Sequence, residues 1–278
     1  MTPRELIRQT ASQFNQAGIP DPDTDAALLL SHLTGRPQLE LRLDTGTQLS
    51  PDIITAYKEL ADRRLGHIPL QYLVGEAPFY RRMFLVDPRV LIPRPETELL
   101  CEWALEEMVQ FPAPRILDLC CGSGCIGITL KAERPDASVT MSDISPDALE
   151  VTAANAARIS PDISIRQGNL LEGINPASFD FIVSNPPYIS SADCDSLQPE
   201  VMREPRLALD GGEDGCDLYR RIAAEAKTVL VPGGKLMMEL GIGESGYLSS
   251  LLSGLGYLDV RVRKDYSGID RIILAVNP

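Results

Sequence analysis

Apolar positions along the first 75 residues recur at helical spacing. Leu6, Ile7 and Phe14 form one stripe, and Ala26, Ala27, Leu28, Leu29, Leu30 and Leu33 form a second. The stretch is short and poor in strand patterns, which predicts a small helical bundle. Asp23 or Thr24 is the expected cap of the second helix and Gly35 its end. Ser50 followed by Pro51 has the form of an N-cap with proline in the first turn, opening a helix that carries Ile53, Ile54, Tyr57, Leu60 and Leu65. Between Pro78 and Pro93 the pattern changes to two extended runs, Phe79 to Val86 and Val90 to Ile92, on either side of Asp87-Pro88. That arrangement predicts a β-hairpin turning at the Asp-Pro pair. A helix is expected to follow from about Glu96 to Val109.

From Arg115 onward two periodicities alternate. Strand patterns occupy 115–120, 138–143, 162–167, 179–184, 234–240, 257–264 and 270–276, with helical stretches near 124–133, 146–158, 216–230 and 244–253. Such alternation predicts an α/β domain whose mostly parallel sheet is covered on both faces. The stretch from Asp265 to Ile269 is too short for a crossover helix, so the last two strands are expected to be antiparallel. The expected organisation is a helical domain over 1–75, a hairpin linker over 76–93 and the α/β domain over 94–278. Residues 189–215 lack periodicity and are rich in Asp, Pro and Gly. They read as a long loop, either a lid or a surface connection.

Composition narrows the function classes. With 278 residues, 44% of them hydrophobic and 23% charged, the chain can bury a sizeable core. A formal charge of −13 repels phosphate backbones, so free nucleic acid is not an expected partner, whereas a basic protein is. The N-terminus lacks the basic-then-apolar pattern of a signal peptide, and no run approaches the ~18 apolar residues of a membrane span. A cytoplasmic monomer with reduced thiols and no membrane partner is expected. Cys120, Cys121 and Cys125 lack the spaced pairs of a zinc site, so no metal is expected and the thiols read as packing groups. His32 and His67 stand alone and read as structural.

Candidate chemistry collects at the strand ends of the α/β part. Asp118-Leu119-Cys120-Cys121-Gly122-Ser123-Gly124 is a glycine-rich turn between strand and helix, which brings backbone N–H groups close to a ligand. The acid Asp118 ahead of it suits a cationic or amine-bearing ligand. Asp143, about 20 residues beyond the turn, has the position of an acid that accepts from both hydroxyls of a ribose. Asn169 and Leu170 follow the third strand, where an amide can meet an adenine edge and a leucine cover its face. The fourth strand runs into Asn185-Pro186-Pro187-Tyr188. Two prolines remove backbone donors and stiffen the segment, leaving the carbonyls of Asn185 and Pro186 free. With the Asn185 side chain and the Tyr188 ring they form a rigid cup for a planar group carrying an NH2.

These motifs resemble those of class I methyltransferases acting on amide or exocyclic amino nitrogens. Upstream, Arg63-Arg64-x-Gly66-x-x-Pro69-Leu70-Gln71-Tyr72-Leu73-x-Gly75 and Leu91-Ile92-Pro93-Arg94-Pro95-Glu96-Thr97-Glu98 resemble the release factor glutamine methyltransferase family, also called HemK or PrmC. The resemblance covers nearly the whole chain. It implies a Rossmann-like sheet of seven strands carrying the chemistry and an N-terminal helical domain that helps hold the partner. S-adenosylmethionine is the implied methyl donor and S-adenosylhomocysteine the product. The implied reaction is methylation of N5 of the glutamine in the Gly-Gly-Gln motif of class 1 peptide-chain release factors. By the same resemblance Asp118, Cys120, Cys121, Gly122, Ser123, Gly124, Asp143, Asn169, Leu170 and Asn185 line the cofactor site. Asn185, Pro186, Pro187 and Tyr188 receive the glutamine, with Asn185, Pro186 and Tyr188 in the catalytic roles. A ribosomal-protein glutamine and a nucleic-acid adenine are the alternative substrates; a non-catalytic adaptor and a dinucleotide oxidoreductase are the rival classes. Two features depart from the family pattern. Cysteines replace a glycine at Cys120 and a small hydroxyl residue at Cys121, and Asn169 replaces an acid. A side chain at Cys120 is expected to require a negative φ there.

Overall fold

The computed structural model describes residues 1–160 and 162–278. The described chain falls into two compact units, Met1–Glu76 with Gln198–Arg203, and Ala77–Leu197 with Glu204–Pro278.

The first unit is helical. It contains α1 (Pro3–Gln16), α2 (Pro22–Thr34), α3 (Gln38–Leu43), α4 (Pro51–Leu65) and α5 (Leu70–Val74). Leu6, Ile7, Phe14, Leu29, Leu30, Leu41 and Tyr57 pack into one core, the apolar stripes read from the sequence. Thr2 and Glu5 form a capping box on α1, and Ser50 accepts from the Ile53 N–H at the start of α4. The cap position of α2 is Asp21 rather than Asp23 or Thr24, because Pro22 takes the first helical position. Gly35 ends α2 in the left-handed conformation, as expected. Arg64, only 2% exposed, donates to Asp25 Oδ2 at 2.8 Å, to the Ile68 carbonyl at 3.3 Å and to Glu200 Oε1 at 2.6 Å.

Strands β1 (Glu76–Phe79) and β2 (Arg82–Leu85) form a two-stranded sheet. Its turn is Tyr80-Arg81, both with positive φ (45° and 64°), and not Asp87-Pro88. Asp87 instead makes the next turn, accepting from the Arg89 N–H through Oδ1 and from the Val90 N–H through its carbonyl. The strong turn signal is therefore real, but it lies beyond the hairpin.

The second unit is built on β3 (Arg115–Leu119), β4 (Ser138–Asp143), β5 (Ser164–Gln167), β6 (Phe179–Ser184), β7 (Leu230–Glu239), β8 (Leu258–Lys264) and β9 (Asp270–Val276). Their order is β5-β4-β3-β6-β7-β9-β8. Strands β3 to β7 pair with one another in parallel, while β9 runs antiparallel to both β7 and β8. Helices α6 (Pro95–Glu107), α7 (Cys125–Glu133), α8 (Pro146–Ile159), α9 (Asp217–Val229) and α10 (Ser245–Gly254) cover the sheet. Alternate strand residues serve the two faces. Ile116, Phe181, Val183, Met237 and Leu274 pack with residues of α6 and α7. Leu117, Ile182, Leu236, Met238 and Ile273 pack with residues of α9 and α10. The chain order reverses between β3 and β6, and a crevice opens beyond the carboxyl ends of the strands at such a reversal.

Candidate active site

That crevice is a cavity of about 230 Å³. Of the residues expected at the site, Cys120, Gly122, Asp143, Asn169, Leu170, Asn185 and Pro187 line it. Asp118, Cys121, Ser123, Gly124, Pro186 and Tyr188 are not among the residues that line it. Apolar contributions come from Val90 and Leu91 after the Asp87 turn, from Ile144 after β4, and from Leu207 and Ala208 in the long loop.

The glycine turn is tied down by α8. Thr152 donates to the Gly122 carbonyl at 2.6 Å, and Asn155 Nδ2 donates to the carbonyls of Ser123 and Leu85, both at 3.0 Å. Gly124 caps α7 with φ 79°, and a Cβ there would lie 3.0 Å from side-chain carbons of Ile128 and Thr152. Both conformation and space therefore demand glycine. Cys120 has φ 60°, contrary to the expectation that its side chain would hold φ negative. The turn needs the left-handed conformation, and the Cβ is carried at a steric cost. Leu170, also in the lining and buried, has φ 54°. Two non-glycine residues in this conformation thus flank one cavity, a clustering typical of ligand sites.

Two carboxylates meet at the turn. The Asp143 side chain accepts from the N–H groups of Gly122 and Ser145, each at 2.9 Å, and is only partly buried. Asp118 is fully buried. Its Oδ2 accepts from the Gly127 N–H at 2.8 Å, while Oδ1 has no partner among the described residues. Burial raises the Asp118 pKa to about 7, against the pull of the Gly127 N–H and aided by the Asp143 charge. Desolvation also pushes the thiols of Cys120 and Cys125 up to about 12, so neither is poised as a nucleophile. Among the described residues no cluster of three metal-ligating side chains occurs. Asn169 bonds Glu172 and receives Arg221 Nη1 at 3.3 Å.

The segment 185–188 follows the end of β6 and gives Asn185 and Pro187 to the lining. Its shape is set by close backbone contact: a Cβ on Gly211 would lie 2.8 Å from both the Pro187 carbonyl oxygen and Tyr188 Cα, and one on Gly215 2.5 Å from the Tyr188 carbonyl oxygen. Among the described residues nothing donates to Asn185 Oδ1 or to the carbonyls of Asn185 and Pro186. Asn185 Nδ2 donates to Thr97 Oγ1 at 3.2 Å. Thr97 in turn donates to Glu239 Oε2 at 2.6 Å, and the Tyr188 hydroxyl lies 3.4 Å from Glu239 Oε1. Glu239 is 2% exposed, and burial raises its pKa to about 7 despite hydrogen bonds from Thr97 and Tyr188 and the nearby Arg271. Sequence reasoning assigned no role to Thr97 or Glu239. The signal was present: Glu239 is the one charged residue in Leu236-Met237-Met238-Glu239-Leu240, at the carboxyl end of a central strand.

The model of the PrmC N-terminal domain matches residues 5–75, and that of the methyltransferase small domain matches residues 96–213. A release factor glutamine methyltransferase from Deinococcus radiodurans is 40% identical, covering 98% of this chain and 97% of that protein. Another from Geobacter sulfurreducens is 39% identical, covering 98% and 95%. A methyltransferase structure from Pyrococcus furiosus, 18% identical, superposes with a TM-score of 0.51 over 70% of this chain and 88% of that one, a likeness of fold alone. By its full-length similarity to these relatives, the chain belongs to the release factor glutamine methyltransferase family.

Proposed function

We propose that this protein transfers a methyl group from S-adenosylmethionine to the side-chain amide nitrogen of the Gly-Gly-Gln glutamine in class 1 peptide-chain release factors. The observation that carries the reading is a pair of unengaged acceptors on consecutive residues, Asn185 Oδ1 and the Pro186 carbonyl, with Asn185 and Pro187 lining a cavity suited to a nucleoside. The residues present fit the cofactor. Asp143 suits two ribose hydroxyls, and Leu170, Ile144 and Val90 suit a flat base. The partnerless oxygen of Asp118 gives the glycine turn a negative potential suited to a cation.

When bound, S-adenosylmethionine supplies an electrophilic methyl on a cationic sulfur. An amide nitrogen is a weak nucleophile because its lone pair is delocalised into the carbonyl. The task of the protein is therefore placement. Asn185 Oδ1 and the Pro186 carbonyl accept the two N–H hydrogens of the glutamine, so the nitrogen faces the methyl in line. Transfer would break the methyl carbon–sulfur bond and form a carbon–nitrogen bond, with one N–H proton of the amide leaving to water. The fixed carbonyl dipoles favour the positive charge that develops on nitrogen. Orientation of this kind is worth up to about 7–11 kcal/mol of barrier. The Tyr188 ring walls the amide plane. The charge of −13 supports a protein substrate over a nucleic acid.

The test is methyl transfer from labelled S-adenosylmethionine to purified, unmethylated release factor, with the modified residue located by mass spectrometry. Label on the Gly-Gly-Gln glutamine is expected. Label only on a ribosomal-protein glutamine or on an adenine overturns the reading. Asn185→Ala is expected to abolish turnover with cofactor binding weakened but measurable. Asp143→Ala is expected to raise the cofactor Kd.

A further inference from the structure

We propose that Thr97 and Glu239 are positioning residues: through the chain Glu239–Thr97–Asn185 they fix which end of the Asn185 amide faces the reacting nitrogen. The inference rests on the function proposed above and names two residues that reading does not use.

A carboxamide presents an acceptor at one end and donors at the other, and the two ends have nearly the same shape. A cup meant for an NH2 group needs the acceptor end outward. If Asn185 turned over, its own NH2 would oppose the NH2 of the substrate. Nothing in Asn185-Pro186-Pro187-Tyr188 itself forbids that rotation. Thr97 does. Its hydroxyl has a single proton, and Glu239 Oε2 takes it at 2.6 Å. An ionised carboxylate only accepts, so Thr97 Oγ1 is left with lone pairs alone for Asn185, 3.2 Å away. Only the Nδ2 end of Asn185 satisfies it, and Oδ1 is turned toward the substrate. The other oxygen of the same carboxylate lies 3.4 Å from the Tyr188 hydroxyl. One buried carboxylate thus orients both the acceptor and the aromatic wall.

The burial of the chain makes the orientation strict. Thr97 and Glu239 are each 2% exposed, so a turned amide would set an unpaired N–H or lone pair against a dry wall. The groups around Glu239 are Glu96 and Thr97 from α6, Tyr188 after β6 and Arg271 from β9. Arg271 pairs with Asp265 at 2.9 Å and so is not the direct counter-ion of Glu239.

Two measurements test the chain of bonds separately from the function. In protein labelled with 15N-asparagine, the Asn185 Nδ2 resonances, assigned by their loss in Asn185→Asp, should be slow to exchange with solvent. They should become fast in Thr97→Val and stay slow in Thr97→Ser. In the methyl-transfer assay Thr97→Val, which keeps the shape and removes the hydroxyl, should lower kcat on the order of 100-fold. Cofactor Kd and glutamine KM should move less than about threefold, and Thr97→Ser should recover most of the rate. Wild-type exchange and wild-type kcat in Thr97→Val overturn the proposal while leaving the function intact. An equal loss of cofactor binding, substrate binding and rate in Thr97→Val, not rescued by serine, assigns Thr97 a packing role and also overturns it. A wild-type protein that labels no glutamine overturns the function itself, and the chemical purpose of the chain falls with it.

Discussion

Cys120 is a residue whose identity and conformation disagree. The turn holds it at φ 60°, where a Cβ crowds the neighbouring carbonyl. Glycine occupies such positions without that cost, while losing more chain entropy on folding. The balance favours glycine here, and Cys120→Gly is expected to raise unfolding free energy by about 1 kcal/mol. Urea denaturation of the two proteins checks it; a loss of stability would mean that the thiol packs well enough to outweigh the strain. The sequence marks the position as a departure from a glycine pattern but does not reveal its dihedral angle, because the conformation is imposed by the bonds around the turn. The Cys121 N–H donates to the Ser142 carbonyl at 3.1 Å, Gly124 N–H to the Cys121 carbonyl at 2.7 Å, and Thr152 to Gly122. The same limit hid Thr97 and Glu239. They stand 142 positions apart and become partners only through the neighbouring placement of α6 and β7. Local motifs such as the Asp118 turn and Asn185-Pro186-Pro187-Tyr188 were legible because their function is carried by consecutive residues.

Elements were legible where periodicity and punctuation agree. The alternation after Arg115 gave seven strands, and the short link before Asp270 gave the antiparallel pair of β8 and β9. The opening of β7 escaped because Val231-Pro232-Gly233-Gly234 reads as a break. The strand begins at Leu230 and absorbs these residues in an irregular register against β6. The hairpin turn escaped for the converse reason: Tyr80-Arg81 carries no glycine or asparagine signal. In the helical unit, the long reach of Arg64 was equally invisible. A sequence shows an arginine near the end of α4, not that it is buried between Asp25 of α2 and Glu200. Removing one member of a buried ionic group strands the others without a partner. Arg64→Ala is therefore expected to lower stability by about 3–5 kcal/mol, with Asp25, already raised in pKa by burial, driven further toward its neutral form. Chemical unfolding followed by circular dichroism measures the loss. A change below about 1 kcal/mol would mean that water replaces the guanidinium freely.

At the scale of the molecule, carboxyls with pKa values raised by folding, Asp118 and Glu239 among them, give stability a definite dependence on pH. Asp118 moves from 3.8 to about 7 and Glu239 from 4.5 to about 7, both through desolvation. An acid with a pKa raised by folding binds its proton more tightly in the folded state. Its contribution to stability is fully present below the unfolded value and is lost as pH rises through the folded one. Both groups therefore act in the window from about 4 to 7, and Asp25 and Glu244, also raised by burial, act in the same direction. Carboxylates held low by arginine or backbone partners, such as Asp136 and Asp214 at about 2, have the opposite sign. Their contribution is present above 3.8 and is lost as pH falls toward 2. The two sets place the maximum of stability near pH 4, with a decline toward neutrality on the order of 3 kcal/mol for each of the two site carboxyls. Urea titrations of the ligand-free protein between pH 4 and 8 measure the decline directly. Asp118→Asn, which keeps the shape and removes the ionisation, should flatten it between pH 5 and 8 by about half. A profile that rises from pH 5 to 8 would mean that Asp118 and Glu239 are already ionised at acid pH. Glu239 would then receive Thr97 throughout that range, and the rate of methyl transfer would carry no limb near neutrality from this carboxyl. With a pKa of about 7, ionised Glu239 is lost on the acid side, and kcat should fall as pH drops below 7 because Thr97 no longer has to direct its proton away from Asn185.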